Sequence, residues 1–145
     1  MRKTLMSALL ALAGAAQAQM TPIGVWQSID DGNGQPKAEI SIVQRPDGGL
    51  SGKVDRSLAA PSPEPNCVLC SDDRKNQPKI GMEIIRGGKK ADGKDVWEGG
   101  KILDPENGKE YSLRLTPIEG GRKLEVRGYI GAPLLGRTQV WNRIR

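Results

Sequence analysis

Few residues in this chain could carry chemistry. Cys67-Val68-Leu69-Cys70 is the one reactive pair in 145 residues. In an oxidising compartment its default state is a disulfide that clips the surrounding loop. A ring this small removes little chain entropy, so its stabilisation belongs at the low end of the disulfide range. A thiol redox role needs a helix N-terminus to lower a thiol pKa, and no βαβ pattern surrounds the pair. Two thiolates fall short of a four-ligand zinc site, but two-coordinate Cu(I) binding by soft sulfur stays open. Ser71 stands where c-type haem attachment would need His.

The acids near something are Asp72, Asp73, Glu98 and Asp104. A carboxylate pair could hydrolyse glycosides only at a fixed separation. The plainer reading puts Asp72 and Asp73 in a solvated charge run with Arg74 and Lys75, and makes Asp104 a turn residue before Pro105. The chain has no His, which removes Ser-His-Asp and Cys-His catalysis and His metal ligation together. No glycine-rich stretch matches a phosphate loop opening a helix. The chain therefore reads as non-enzymatic, with no catalytic residue, metal or cofactor assigned.

One set could bind a ligand. Trp97 and Tyr111 fall on consecutive strands joined through Asn107-Gly108, and Arg127 and Tyr129 share one face of a later strand. Together they could form a polar-aromatic pocket in which Arg127 favours an anionic small ligand. Core or rim packing is the plainer fate of the four.

What must position these residues is all β. Arg2 and Lys3, an apolar run from Leu5 to Ala16 and the small-x-small pattern Ala16-Gln17-Ala18 read as a signal peptide over 1–18. No apolar run reaches the roughly 20 residues of a spanning helix, so no transmembrane segment is expected after cleavage. Residues 19–145 form a single domain, placed in the periplasm or outside the cell. The full chain carries +5. Removing Arg2 and Lys3 leaves about +3, and no five basic residues are consecutive. Export makes nucleic acid an improbable partner. With 37% hydrophobic residues, no Phe and five aromatics (Trp26, Trp97, Trp141, Tyr111, Tyr129), the composition favours a filled core over a wide aromatic-lined cavity.

Short runs at period two, punctuated by Gly, Pro, Asn and Asp, predict strands and tight turns. They cover Ile23–Ile29, Lys37–Gln44, Leu50–Leu58, Val96–Leu103, Glu110–Thr116, Lys123–Ile130 and Leu135–Ile144. Ile80–Arg86 is either a strand or a helical turn plugging a barrel end. Residues 59–79, with Pro61, Pro63, Pro65, Pro78 and both cysteines, form a long loop, since proline cannot donate to a ladder. Hairpin spacing without crossover helices predicts an up-and-down antiparallel β-barrel of about eight strands. A two-sheet β-sandwich is the alternative. Closure would bring Gly24-Val25-Trp26 beside Trp141-Asn142-Arg143.

Gly24-Val25-Trp26 resembles the G-x-W signature of lipocalins and the wider calycin barrels. That resemblance implies a tryptophan lying across one barrel end. It also implies a basic residue from the far end of the chain, Arg143 or alternatively Arg145, packing on the ring and bonding nearby carbonyls. Gly24, Trp26 and Arg143 would then be a structural clasp. The chain lacks the helix that follows the lipocalin barrel and has short hairpins instead of wide-mouth loops, which argues against a large pocket.

A longer pattern adds Cys67-x-x-Cys70, Trp97-Glu98-Gly99-Gly100-x-Ile102-x-Asp104-Pro105, Leu124-x-Val126-Arg127-Gly128-Tyr129 and Gly136-Arg137-x-x-x-Trp141-x-Arg143. Over nearly the whole of 19–145 it is similar to a family of small exported bacterial proteins catalogued as a domain of unknown function. The resemblance implies a compact envelope barrel and carries over no catalytic residue. The function expected is binding of a small ligand, anionic if Arg127 lines the pocket, or of an envelope component. A CxxC-based redox or Cu(I)-binding protein is the alternative, and the oligomeric state is left open.

Overall fold

The structure is a computed structural model that describes residues 19–145; the signal segment read at 1–18 lies outside the described residues. Nine strands follow in order: β1 (Gly24–Ile29), β2 (Pro36–Gln44), β3 (Leu50–Ser57), β4 (Glu83–Arg86), β5 (Lys89–Lys90), β6 (Trp97–Asp104), β7 (Lys109–Ile118), β8 (Lys123–Tyr129) and β9 (Gly136–Arg143). The sheet order is β4-β3-β2-β1-β9-β8-β7-β6-β5, and β4 also pairs with β6. Eight strands therefore close a barrel, with the two-residue β5 attached to β6.

Closure excludes the sandwich alternative and leaves no open edge around the ring. Its first seam sets Trp26 opposite Arg143 and Gln27 opposite Asn142. The second sets Ile85 opposite Ile102. The ambiguous Ile80–Arg86 run is a strand only over its last four residues. Lys89 and Lys90 pair with Glu98 and Trp97 of β6.

Period-two alternation decides which side chains face in. On β2, Ala38, Ile40 and Ile42 are buried between the more exposed Lys37, Glu39, Ser41 and Val43. On β7, Leu113 and Leu115 are buried at 1% and 0% exposure. The tight turns use their own side chains. Asp30 Oδ1 accepts from the backbone N–H groups of Gly32 (2.7 Å) and Asn33 (3.2 Å), and Asp47 Oδ1 accepts from Gly49 N–H (2.8 Å). These local bonds are why Asp and Asn mark the hairpin tips.

The packed core fills the half of the barrel around Trp26, Ile42, Leu50, Ile85, Leu115 and Leu124. The other half is hollow, contrary to the filled interior that the composition favours. A core built from Ile, Leu and Val over only half the barrel's height needs few aromatics, so a low aromatic count does not imply a solid interior.

Candidate functional site

The hollow half holds a cavity of about 850 Å³, open at one end. It lies where β1, β3, β6 and β8 end and β2, β7 and β9 begin. Its wall is aliphatic, with Ile40, Val54, Ile84, Ile102 and Val126, and Trp141 adds an indole. The long loop supplies one side through Ala59, Pro61 and Pro65. Proline presents apolar surface without a backbone donor that would need a partner, and the Ala59 N–H is satisfied by Ser57 Oγ at 3.3 Å. At the mouth, Ile80, Ile130 and Leu135 are 51%, 65% and 76% exposed.

Charge is confined to the rim and is largely paired. Lys79 Nζ lies 3.2 Å from Glu106 Oε2, and Arg137 Nη2 lies 3.2 Å from Asp31 Oδ2. An apolar interior with a polar rim is the general form of a small-molecule site, and the volume falls within the usual range of roughly 300–1,000 Å³.

The opposite end is shut. Trp26 is fully buried, and its Nε1 donates to Pro22 O at 2.8 Å. The Arg143 guanidinium stands 4.2 Å from the centroid of that indole. It donates to four backbone carbonyls: Gly121 (2.6 Å), Thr21 (2.6 Å), Ile23 (2.8 Å) and Gln19 (3.3 Å). Burial pushes the Arg143 pKa down, but a guanidinium stays charged far above neutral pH. Gly24, at φ +147°, lies directly under this group. A Cβ there would overlap Arg143 Nη1 and come within 2.7 Å of Arg145 O. Arg145 contributes through its backbone: its carbonyl accepts from Val25 N–H at 2.6 Å.

The long loop is held by a network of charges. Asp72 and Asp73 are part of it, not a merely solvated run. Arg74, only 4% exposed, donates to Asp72 (2.5 Å), to Glu110 (2.8 Å) on β7 and to Glu83 O (2.9 Å) on β4. Arg86 grips Asp73 through two bonds of 2.8 and 2.9 Å and also reaches Glu83 Oε1 at 2.7 Å. Glu83 additionally accepts from Ser51 Oγ and Arg45. The side-chain bond from Arg74 holds the Asp72 carboxyl down at about 2, against the opposing effect of burial. For Glu83 burial pushes the pKa up, but the bonds from Ser51, Arg45 and Arg86 outweigh it and hold it at about 2.

Cys67 and Cys70 form a disulfide with Cα atoms 5.4 Å apart, and both are buried at 0% and 1% exposure. The β6–β7 turn docks on this clip: a Cβ on Gly108 would overlap Leu69 O and lie 2.8 Å from Cys70 N. With φ at +73°, position 108 suits glycine doubly.

The four proposed ligand residues are separated. Tyr111 and Tyr129 line the cavity. Arg127 does not: alternation turns Val126 and Gly128 inward and Arg127 outward, where it donates to Pro133 O (2.7 Å) and Thr138 Oγ1 (2.7 Å). Trp97 lies at the start of β6, away from the cavity, with Lys90 Nζ 5.9 Å from its ring centroid. Asp104 is indeed a turn residue, accepting from Glu106 N–H at 2.9 Å, and also lines the cavity mouth. Glu98 pairs with Arg114 at 3.3 Å. Gln139 and Trp141, on the cavity wall, were not singled out as ligand-contacting: Gln139 belongs to no motif, and Trp141 entered only through the closing pattern with Arg143. Only the inward row of β9 reveals them. Among the described residues no three Cys, Asp or Glu side chains converge as metal ligands.

Comparison with known proteins adds two likenesses. Residues 24–143 match the family described as "Uncharacterized protein conserved in bacteria (DUF2147)". The fold is similar to protein HP1028 from the human pathogen Helicobacter pylori, described as belonging to the lipocalin family. That similarity has a TM-score of 0.72 at 18% identity, over 85% of this chain and 82% of that one. No curated protein matches the chain.

Proposed function

The chain belongs to the DUF2147 family of bacterial proteins and folds as a lipocalin-like barrel, and from that premise we propose that it is an exported carrier or sensor of a small apolar ligand. One observation carries the reading. The barrel is closed at the Trp26 end and opens at the other into a cavity of about 850 Å³ with an aliphatic wall. Burying apolar ligand surface there gains roughly 25 cal/mol per Å² before the costs of association. The sequence has no His, and among the described residues no three Cys, Asp or Glu side chains converge as metal ligands. The disulfide is buried, so neither sulfur is placed to meet a redox partner, and the thiol alternative has no observation in its favour.

Export is part of the proposal and rests on the N-terminal sequence pattern. The mass of the protein recovered from the periplasm of its own bacterium tests it: a chain beginning near Gln19 is expected, and a full-length cytoplasmic chain would reject it.

Binding is tested by native mass spectrometry of that protein, which should retain an apolar adduct. Titration with the fluorophore N-phenylnaphthylamine provides the second readout. It should give saturable binding that Val126→Phe, which fills the wall, abolishes while leaving the fold intact. Absence of both adduct and fluorophore binding in the unmodified protein would sink the reading.

A further inference from the structure

The inward row of β9 runs Arg137, Gln139, Trp141, and the first two of these together with the indole line the cavity from mouth to floor. Trp141 Nε1 donates to Gln139 Oε1 at 2.8 Å. An indole nitrogen can only donate, so this bond settles which end of the amide faces Trp141. The carbonyl of Gln139 is engaged, and its Nε2, with two N–H donors, has no partner among the described residues. The indole is 3% exposed and packed in the core, so it holds the amide in place. The result is a fixed donor with no protein partner beside Ile40 and Val126, on a wall to which Ser28, Tyr111 and Tyr129 also contribute.

Such a donor selects for an acceptor. An ionised carboxylate carried to that depth would lose its hydration, and the cations among the described residues that line the cavity, Arg137, Lys79 and Lys37, stand at its mouth. Arg137 and Lys79, at the rim, are already paired with Asp31 and Glu106, and Lys37 sits at the opening, at the start of β2. An uncharged carbonyl carries no such penalty. We propose that Gln139 is the polar anchor of the cavity and that the ligand class is an apolar compound bearing an uncharged carbonyl, an ester, amide or ketone, which accepts from Gln139 Nε2. Trp141 is the positioning residue that presents the donor. The assignment rests on the cavity reading above and deepens it.

Displacement of bound N-phenylnaphthylamine by methyl octanoate, nonane and octanoate tests it. In the unmodified protein methyl octanoate should compete about tenfold better than nonane, the scale of one hydrogen bond whose donor is otherwise left unpaired. Gln139→Leu should bring the two within about twofold, each competitor measured against that variant's own fluorophore affinity. Gln139→Glu, which removes the donor but keeps the shape, should do the same. Trp141→Phe should weaken the preference without abolishing fluorophore binding, because the amide is then free to turn. A preference that survives in Gln139→Leu would overturn the assignment, as would octanoate competing better than its methyl ester. Fluorophore that binds with no preference for the ester over nonane overturns the assignment alone. Fluorophore that does not bind at all overturns the cavity reading and the assignment with it.

Discussion

The Arg143 guanidinium lies 4.2 Å from the centroid of the Trp26 ring and directly opposite it in the β1–β9 register. One side chain from the end of the chain thus covers the first strand's indole and ties down four carbonyls of Gln19, Thr21, Ile23 and Gly121. The contact joins cation–π attraction to the satisfaction of backbone acceptors that a barrel end would otherwise leave unpaired.

Trp26→Ala should cost about 3–5 kcal/mol of unfolding free energy, the scale of deleting a fully buried aromatic. Arg143→Lys keeps the charge but loses the planar fork, and should cost about 1–3 kcal/mol through the carbonyls it strands. Urea denaturation measures both. Losses below about 1 kcal/mol for Trp26→Ala would show that the clasp does not hold the barrel shut.

Gly24→Ala should be as damaging as many core truncations although glycine has no side chain to lose. The new methyl meets Arg143 Nη1 and Arg145 O, and the backbone there is at φ +147°. The reading is a drop in Tm with loss of the near-ultraviolet Trp signal. An unchanged melting profile would contradict the close approach.

Acid should loosen the long loop. Asp72 and Glu83 have folded pKa values of about 2, against ordinary values of 3.8 and 4.5. Both are depressed, so their contribution is fully present above about pH 5 and is lost as pH falls through 4 toward 2. The penalty of Glu83→Gln, measured by thermal unfolding, should therefore be large at pH 6 and shrink toward nothing near pH 2. A penalty independent of pH would mean that Arg45, Arg86 and Ser51 do not stabilise the ionised form.

Removing the clip by Cys67→Ser with Cys70→Ser should lower stability by about 2 kcal/mol, the chain-entropy scale of so short a ring. The barrel strands should survive, because the cysteines sit outside them. Far-ultraviolet circular dichroism and urea midpoints read the two effects separately. Global unfolding of the double variant would assign the clip a larger part in folding than loop shaping.

Arg127→Ala should leave fluorophore affinity unchanged within about twofold, since its guanidinium is spent on Pro133 O and Thr138 on the outer face. Tyr111→Ala enlarges the cavity and should change it several-fold. The reverse result would return Arg127 to the binding site.

The barrel was legible in the sequence because it rests on local signals, whereas the clasp was implied by the resemblance to the G-x-W barrels. Alternation over Tyr111, Leu113 and Leu115 sets a strand's two faces, and Asp and Asn bond their own backbone at the turns. Arg127 and Tyr129 illustrate the limit. Period two sets them on one face but does not say which face is inside: Val126 and Gly128 turn in and Arg127 turns out, while Tyr129, at the end of β8, lines the cavity all the same. The loop was recognised from its prolines, yet Asp72 and Asp73 read as solvent-facing because Arg86 reaches Asp73, and Arg74 is buried against Glu83 O and Glu110, only when the loop folds back on β4.

The sequence by itself determined the class: antiparallel strands, a long clipped loop, and no His for the commonest catalytic constellations. Those follow from residue types and spacings of a few positions. Only the tertiary structure decided that the barrel is packed in one half and hollow in the other, and that Gln139 meets the cavity with its amide held by Trp141. Volume and unpaired donors are properties of the closed ring. They depend on how side chains from eight strands, distant along the chain, fill or fail to fill one interior.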